Sequence, residues 1–293
     1  MAEQIGIIGL GIMGGSFARN LAKAGFEVVG CEIDESRIAA LADIGMVRAA
    51  SPTEVANKVD RIITSLPNAT AFAQVISEIA AANRPVVVAD TCTLNVSEKE
   101  EGRTALKSTG AILLDCPVGG TGAQAAKADL VVFGSGDAAA FARVRPVFEK
   151  MARVVYHLGD FGAGSAMKFI HNLLVTIHDC STAEAFAMGR RAGIDAQTIY
   201  DVISASVANS RIFEVRGPFM VSGDYDTNKT AKLELLMKDI TCIAEHARAI
   251  DCPTPLFSLA SEIHRSAMAQ GHAASDPAVV CKIMEQSAGV ERD

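Results

Sequence analysis

Three glycines directly behind the first apolar run restrict this chain more than any other feature. Gln4 to Ile8 reads as a short buried strand, Gly9-Leu10-Gly11-Ile12-Met13-Gly14 follows without a break, and Ser16 to Ala24 has helical spacing. In a strand, glycine loop and helix unit each glycine has a physical task. The first permits a tight turn, the second lets the backbone approach a pyrophosphate, and the third allows helix and strand to pack closely. The helix N-terminus then turns unpaired N–H groups and a positive dipole end toward a phosphate. On spacing alone, glycines that serve only the turn give the same pattern.

The alternation that begins there continues to about residue 160. Apolar runs at Glu27 to Cys31, Asp60 to Leu66, Pro85 to Asp90, Ala111 to Asp115, Leu130 to Phe133 and Val154 to Leu158 are separated by segments such as Glu35 to Asp43, Ala71 to Ala82 and Ala138 to Lys150. Each such segment is long enough for a crossover helix, so the repeat predicts an α/β Rossmann domain with a doubly wound, mainly parallel sheet. After Gly164 the spacing turns helical, over Ser165 to Arg191 and then near 196–204, 229–249, 256–270 and 277–286. The stretch Gly159-Asp160-Phe161-Gly162-Ala163-Gly164 reads as a hinge. A dinucleotide-binding Rossmann domain is therefore expected over 1–161, and an all-helical substrate and oligomerisation domain over 162–293.

The second strand ends at Cys31-Glu32, which puts Glu32 ~20 residues beyond the loop, the spacing of an acid that accepts hydrogen bonds from an adenosine ribose. A carboxylate there repels a 2′-phosphate, so NAD is favoured over NADP. Glu32 also fits a solvated strand end, and Arg37 lies close enough to bear on the choice. Two further strand ends, Leu66-Pro67-Asn68 and Asp90-Thr91-Cys92-Thr93, face the crevice where open α/β sheets bind ligands. Leu66, Pro67 and Thr93 are candidate cofactor contacts there, Thr93 through a hydroxyl suited to a ribose or an amide. Ordinary loops fit the same pattern.

Composition narrows the partners. The 27 Lys and Arg against 34 Asp and Glu give a formal charge of -7 without long single-sign runs, which disfavours nucleic acid and acidic membranes. No apolar run is long enough to span a bilayer, and the N-terminus lacks a basic leader, so a soluble cytoplasmic protein is expected. Seven scattered cysteines without a C-x-x-C pair read as buried small hydrophobes, with no disulfide expected. His157, His178, His246, His264 and His272 have no partner at metal-ligand spacing, so no metal is expected. Cys116 fits a buried thiol better than a nucleophile, and Ser206 to Arg211 could line a cleft.

Lys168, His171 and Asn172 are spaced i, i+3 and i+4, so they project from one helical face. Among Ala, Met, Phe, Ile and Leu neighbours a lysine loses hydration, which lowers its pKa toward the range of a useful acid or base. A snorkelling surface lysine fits the spacing as well.

Together these residues resemble the β-hydroxyacid dehydrogenases, the 3-hydroxyisobutyrate dehydrogenase family, over nearly the whole chain. Gly9 to Gly14 is similar to the cofactor signature, Asp115-Cys116-Pro117-Val118-Gly119-Gly120-Thr121 to the substrate motif D-x-P-V-S-G-G, and Gly162 to Asn172 to the catalytic helix. Lys238-Asp239 resembles the K-D pair whose lysine reaches toward cofactor and substrate, and Gly271 to Pro277 a short stretch before the last helix. The resemblance implies that Lys168 is catalytic, that Asn172 holds it and the substrate, and that Lys238 contacts the cofactor. It also implies that Gly119, Gly120, Thr121 and His171 join Asn172 around a small anionic substrate, with backbone N–H groups of 117–122 meeting its carboxylate.

Two departures mark the match, and a third difference separates the chain from a related family. Gly119 stands where the family usually has serine, a hydroxyl that Thr121 could replace. His171 stands where asparagine is common; K-x-x-H-N resembles 6-phosphogluconate dehydrogenase, and K-x-x-H also occurs in relatives acting on four-carbon sugar acids. His171 could bind a second hydroxyl, relay a proton or merely pack. Finally, Val175 stands where the 6-phosphogluconate family has a glutamate seven residues after the lysine. The expectation is an NAD-dependent dehydrogenase of a small 3-hydroxy acid such as 3-hydroxyisobutyrate, glycerate (with tartronate semialdehyde as its oxidised partner), serine or threonate, working between its two domains as a homodimer or homotetramer. A 6-phosphogluconate-type activity and a non-catalytic dinucleotide-binding scaffold are the alternatives.

Overall fold

Along the first strand, Ile5 and Ile7 pack into one core cluster and Ile8 into another, the period-two division of a strand buried on both faces. Gly6 shares the face of Ile8, where a Cβ would lie 2.5 Å from Val55 Cγ1. The computed structural model describes residues 2–292. The chain divides into two units, Met1–Lys168 and Phe169–Asp293.

The first unit runs through β1 (Gln4–Ile8), α1 (Ile12–Lys23), β2 (Glu27–Cys31), α2 (Glu35–Ala39), β3 (Val47–Arg48), α3 (Pro52–Lys58), β4 (Arg61–Thr64), α4 (Ala69–Ala81) and β5 (Val87–Asp90). It continues through α5 (Val96–Leu106), β6 (Ile112–Asp115), β7 (Val118–Gly119), α6 (Gly122–Ala126), β8 (Val131–Gly134), α7 (Ala138–Phe148) and β9 (Val154–His157) into α8 (Ala163–Arg191). Six strands form a parallel sheet in the order β3-β2-β1-β4-β5-β6, the doubly wound arrangement read from the alternation. Phe17, Leu21, Phe141 and Phe148 cover one face, and Val55, Phe72 and Ile76 the other.

β7, β8 and β9 form a separate three-stranded sheet in which β7 runs antiparallel to β8. A bridge between Asp115 and Ser135 ties the end of β6 to the end of β8. Sequence reasoning did not mark β3 and β7, because two residues are too few to show alternation. It also passed over α5, whose sequence VSEKEEGRTAL has almost no apolar stripe.

Among the described residues the second unit has no strand. Beyond the rest of α8 it holds α9 (Ala196–Ser204), α10 (Arg211–Ser222), α11 (Leu233–Ala249), α12 (Pro255–Ala269) and α13 (Val280–Ser287). Phe186 stacks on Phe213 in its core at 5.7 Å between centroids. Arg216, buried on α10, pairs with Asp179 of α8 at 3.0 Å and with Asp276, before α13, at 2.7 Å. α10 was not foreseen, since Gly217 and Pro218 interrupt its helical spacing. No helix among the described residues is long and apolar enough to cross a membrane.

Candidate active site

Parallel register sets the strand ends side by side. Ile8 lies opposite Cys31 and Thr64, Thr64 opposite Asp90, and Asp90 opposite Asp115. The segments that follow therefore leave one edge of the sheet together: the glycine loop, Glu32, Leu66 and Pro67, Thr91 to Thr93, and Cys116 to Thr121. The strand order reverses between β1 and β4, where open sheets of this type bind ligands.

The loop has the shape its glycines predict. Gly9 holds φ at +88°, and a Cβ there would lie 2.3 Å from Ser65 O. A Cβ on Gly14 would lie 1.9 Å from Gly9 O, so helix and turn touch backbone to backbone. Gly11, in contrast, is the N-cap of α1 with no side-chain cap, and a Cβ there would meet only Arg37 Nη1 at 3.6 Å. An uncapped helix N-terminus behind a side-chain-free cradle fits the diphosphate of a dinucleotide. Leu10 is buried in the core, Met13 packs against it, and Ile12 is exposed.

Glu32 does more than end a strand. Its Oε2 accepts from Leu10 N at 2.7 Å, and its Oε1 accepts from the backbone N–H groups of Ile33 at 2.8 Å and Asp34 at 3.1 Å. Arg37 Nη1 lies 3.4 Å away. Burial alone would raise this carboxyl, but the three backbone donors and Arg37 hold it below its usual range. Of the other strand ends, Leu66 N donates to Cys92 Sγ at 3.0 Å, Pro67 is exposed, and Thr93 is half-buried.

The segment after β6 splits into two roles. Gly120 takes φ +135°, with Leu130 Cδ2 2.5 Å from where a Cβ would sit. Thr121 caps α6: its Oγ1 accepts from Gln124 N at 3.3 Å while its own N–H donates to Gln124 Oε1 at 3.0 Å. Both N–H groups of that capping box are thereby engaged. Gly119 is buried in β7. Asp115 turns inward, accepting from Ser165 N at 2.7 Å and from Ser165 Oγ at 2.8 Å, and it pairs with buried Lys99 at 2.7 Å. Burial would lower the Lys99 ammonium, but Asp115 and Asp90 outweigh it and push it well above its ordinary value. Cys116 is fully buried and its thiol is raised well above the ordinary range by that burial, which suits an inert side chain.

On α8, Lys168 and Asn172 are buried, at 8% and 6% exposure, and His171 is half-buried. Asn172 Nδ2 donates to Asp239 Oδ2 at 2.7 Å, and Asn172 Oδ1 lies 2.8 Å from His171 Nδ1. An amide oxygen only accepts, so His171 carries its proton on Nδ1. Lys238 Nζ is 3.2 Å from Asp239 Oδ1. The second unit thus gathers His171, Asn172 and Lys238 around Asp239, and α8 carries Lys168 one turn ahead. Arg211 is exposed and pairs with Glu214 at 2.9 Å.

Sequence reasoning quoted Asp239 and Asp115 inside motifs without assigning either a contact, and it missed Ser165 and Lys99. The neighbouring motif residues were the available signal for the two aspartates. For Lys99 there was none.

Known proteins match along both units. The profile described as the NAD binding domain of 6-phosphogluconate dehydrogenase matches residues 4–159, and that described as NAD-binding of NADP-dependent 3-hydroxyisobutyrate dehydrogenase matches residues 162–284. An L-threonate dehydrogenase of Cupriavidus necator is 35% identical over 288 residues, 97% of this chain and 96% of the relative. An NAD-dependent L-serine dehydrogenase of Pseudomonas aeruginosa is 30% identical over 298 residues, 98% of this chain and 99% of the relative. Among solved structures, a 3-hydroxyisobutyrate dehydrogenase from Salmonella typhimurium is 35% identical with a TM-score of 0.87, covering 96% of this chain and 99% of that one.

Proposed function

Because the chain belongs to the 3-hydroxyisobutyrate dehydrogenase (β-hydroxyacid dehydrogenase) family and is an NAD(P)-dependent hydroxyacid dehydrogenase, we propose that it oxidises a small 3-hydroxy acid of the L-threonate or L-serine type, with Lys168 as the proton carrier. The observation that carries the reading is a lysine only 8% exposed on α8, one turn ahead of an asparagine whose amide is held at both ends. The bound dinucleotide supplies the hydride acceptor. Lys168 Nζ, as the free amine, takes the proton of the substrate hydroxyl; as the ammonium, it returns that proton during reduction. Asn172, fixed by Asp239 and His171, orients the reacting hydroxyl.

The cradle over Gly9, Leu10, Gly11, Ile12, Met13 and Gly14 holds the diphosphate through the N–H groups at the start of α1, those of Gly9 and Leu10 being committed to Cys31 O and Glu32, with Leu66, Pro67, Thr93 and Lys238 as further cofactor contacts. Glu32 is kept anionic by its backbone donors, which supports NAD over NADP because a 2′-phosphate would meet a carboxylate. The backbone N–H of Gly120 meets the substrate carboxylate, flanked by Gly119, which is paired in β7, and by Thr121, whose N–H is held in its capping box. His171 reads as the contact for a second hydroxyl, a reading supported by the relatives named for L-threonate. Ile170, Leu174 and Met188 are exposed on α8, which supports a homo-oligomer.

Reduced-nicotinamide absorbance with L-threonate, L-serine, 3-hydroxyisobutyrate and 6-phosphogluconate, each with NAD and NADP, tests the reading. The highest kcat/KM is expected for L-threonate or L-serine with NAD. Turnover confined to 6-phosphogluconate, or tight NAD binding without turnover of any acid, overturns it.

A further inference from the structure

We infer that Lys99 is a positioning residue for this chemistry: one buried ammonium joins the cofactor-side loop after β5, the substrate-side segment after β6 and the first turn of α8. The inference rests on the reading of Lys168 as proton carrier. Lys99 stands in the charge-rich helix α5, VSEKEEGRTAL, yet it is 1% exposed. Its Nζ donates to Cys92 O at 2.7 Å and to Asp115 Oδ1 at 2.7 Å, and lies 2.9 Å from Asp90 Oδ2. Cys92 precedes Thr93, a proposed cofactor contact, and Asp115 opens the segment that ends in Gly119, Gly120 and Thr121.

The third connection runs through Asp115 into α8. Asp115 receives both the backbone N–H and the hydroxyl of Ser165, while Gly164 N donates to Ser135 Oγ at 2.9 Å. Carboxylate and hydroxyl thus satisfy donors of the first turn, where negative charge also complements the helix dipole. The approach is close at the backbone. A Cβ on Gly164 would lie 2.2 Å from Phe133 O and 2.6 Å from Asp115 O, so the helix start is pressed onto the two strand ends. Lys168 follows Ser165 by three residues, on the same side of the helix.

A cation is needed at this point for a physical reason. Asp90 and Asp115 are adjacent in register on β5 and β6, and both are fully buried. Two neighbouring carboxylates repel, and an unbalanced buried charge is costly. Lys99 balances the pair and leaves Asp115 able to accept from Ser165. Removing it frees the start of α8, and with it the placement of Lys168, to shift against the loops that hold the reactants.

The test is a double-mutant cycle of Lys99→Met and Lys168→Ala, reading kcat, KM for the hydroxy acid, the Kd of NAD and the melting temperature. Lys99→Met alone is expected to lower kcat about 10- to 100-fold, the cost of misplacing a reacting group. KM and the NAD Kd should move by no more than about twofold. In the Lys168→Ala background the same substitution should lower the residual kcat by less than about twofold, because no lysine remains to be placed. Equal loss in both backgrounds, or a wild-type kcat in folded Lys99→Met, overturns the positioning role. If Lys99→Met does not fold, Ser165→Ala takes its place in the cycle. It removes one bond to Asp115 and keeps the backbone N–H, and a wild-type kcat for it is equally contrary. Near-normal turnover of Lys168→Ala alone points instead to failure of the Lys168 reading.

Discussion

Asn172 is held at both ends of its amide: Nδ2 donates to Asp239 Oδ2 at 2.7 Å, and Oδ1 accepts from His171 Nδ1, 2.8 Å away. The carboxylate of α11 and the imidazole of α8 therefore determine which way the amide points. An asparagine left to itself would flip between two nearly isosteric orientations, and only one of them presents its donor to Asp239.

Asp239→Asn removes the charge that orients this amide. A fall of about 10- to 100-fold in kcat/KM at saturating NAD is expected, the scale of a misplaced reacting group. The melt should report a loss of about 1.5–3 kcal/mol, typical of a hydrogen bond to a charged partner. An unchanged kcat/KM would show that Asn172 does not depend on Asp239.

The phosphate loop separates two glycine roles. Gly14→Ala drives a methyl group into Gly9 O, so it should cost about 1–3 kcal/mol of stability as an overpacked contact and weaken NAD as well. Gly11→Ala meets only Arg37 Nη1 at 3.6 Å, an ordinary contact, so its melting temperature should stay near wild type while its NAD affinity falls. Calorimetric NAD titrations beside thermal melts distinguish the two, and equal melting losses would contradict the assignment.

Acid stability should depend on Asp179. Burial would raise its carboxyl, but Arg216 and the His264 ring hold it below the ordinary 3.8. A group with a lower pKa in the folded chain stabilises above its unfolded pKa and loses that contribution as the pH falls through the folded value. Wild type should therefore lose stability faster than Asp179→Asn below about pH 4. At neutral pH the variant should be less stable by about 3 kcal/mol, the lower end for a broken buried pair because Arg216 keeps Asp276. Denaturant melts across pH 7 to 3 measure both, and parallel curves would contradict the account.

What the sequence disclosed follows from how local each signal is. Gly9 and Gly14 were legible because a tight turn and a close approach act on the backbone of the residue itself. The shared helical face of Lys168 and Asn172 was legible from their spacing, but their burial was not, since a surface lysine fits the same spacing. Glu32 was legible in position but not in environment, since its bond to Leu10 N spans 22 residues of chain. Lys99 was invisible: beside Glu98, Glu100 and Glu101 it reads as a solvated face, and only the register of β5 against β6 brings two aspartates to it. α10 was obscured by Gly217, which is small because Tyr200 packs on it; a Cβ there would lie 2.5 Å from Tyr200 Cδ2.

The central claim is that Lys168 moves the substrate proton, and the most direct measurement is single-turnover and steady-state oxidation of the preferred hydroxy acid by Lys168→Ala. The account predicts a kcat lower by about 10²- to 10⁴-fold, the range for loss of a general acid or base, with the NAD Kd unchanged. Turnover within a few-fold of wild type, at an unchanged NAD Kd, would contradict it.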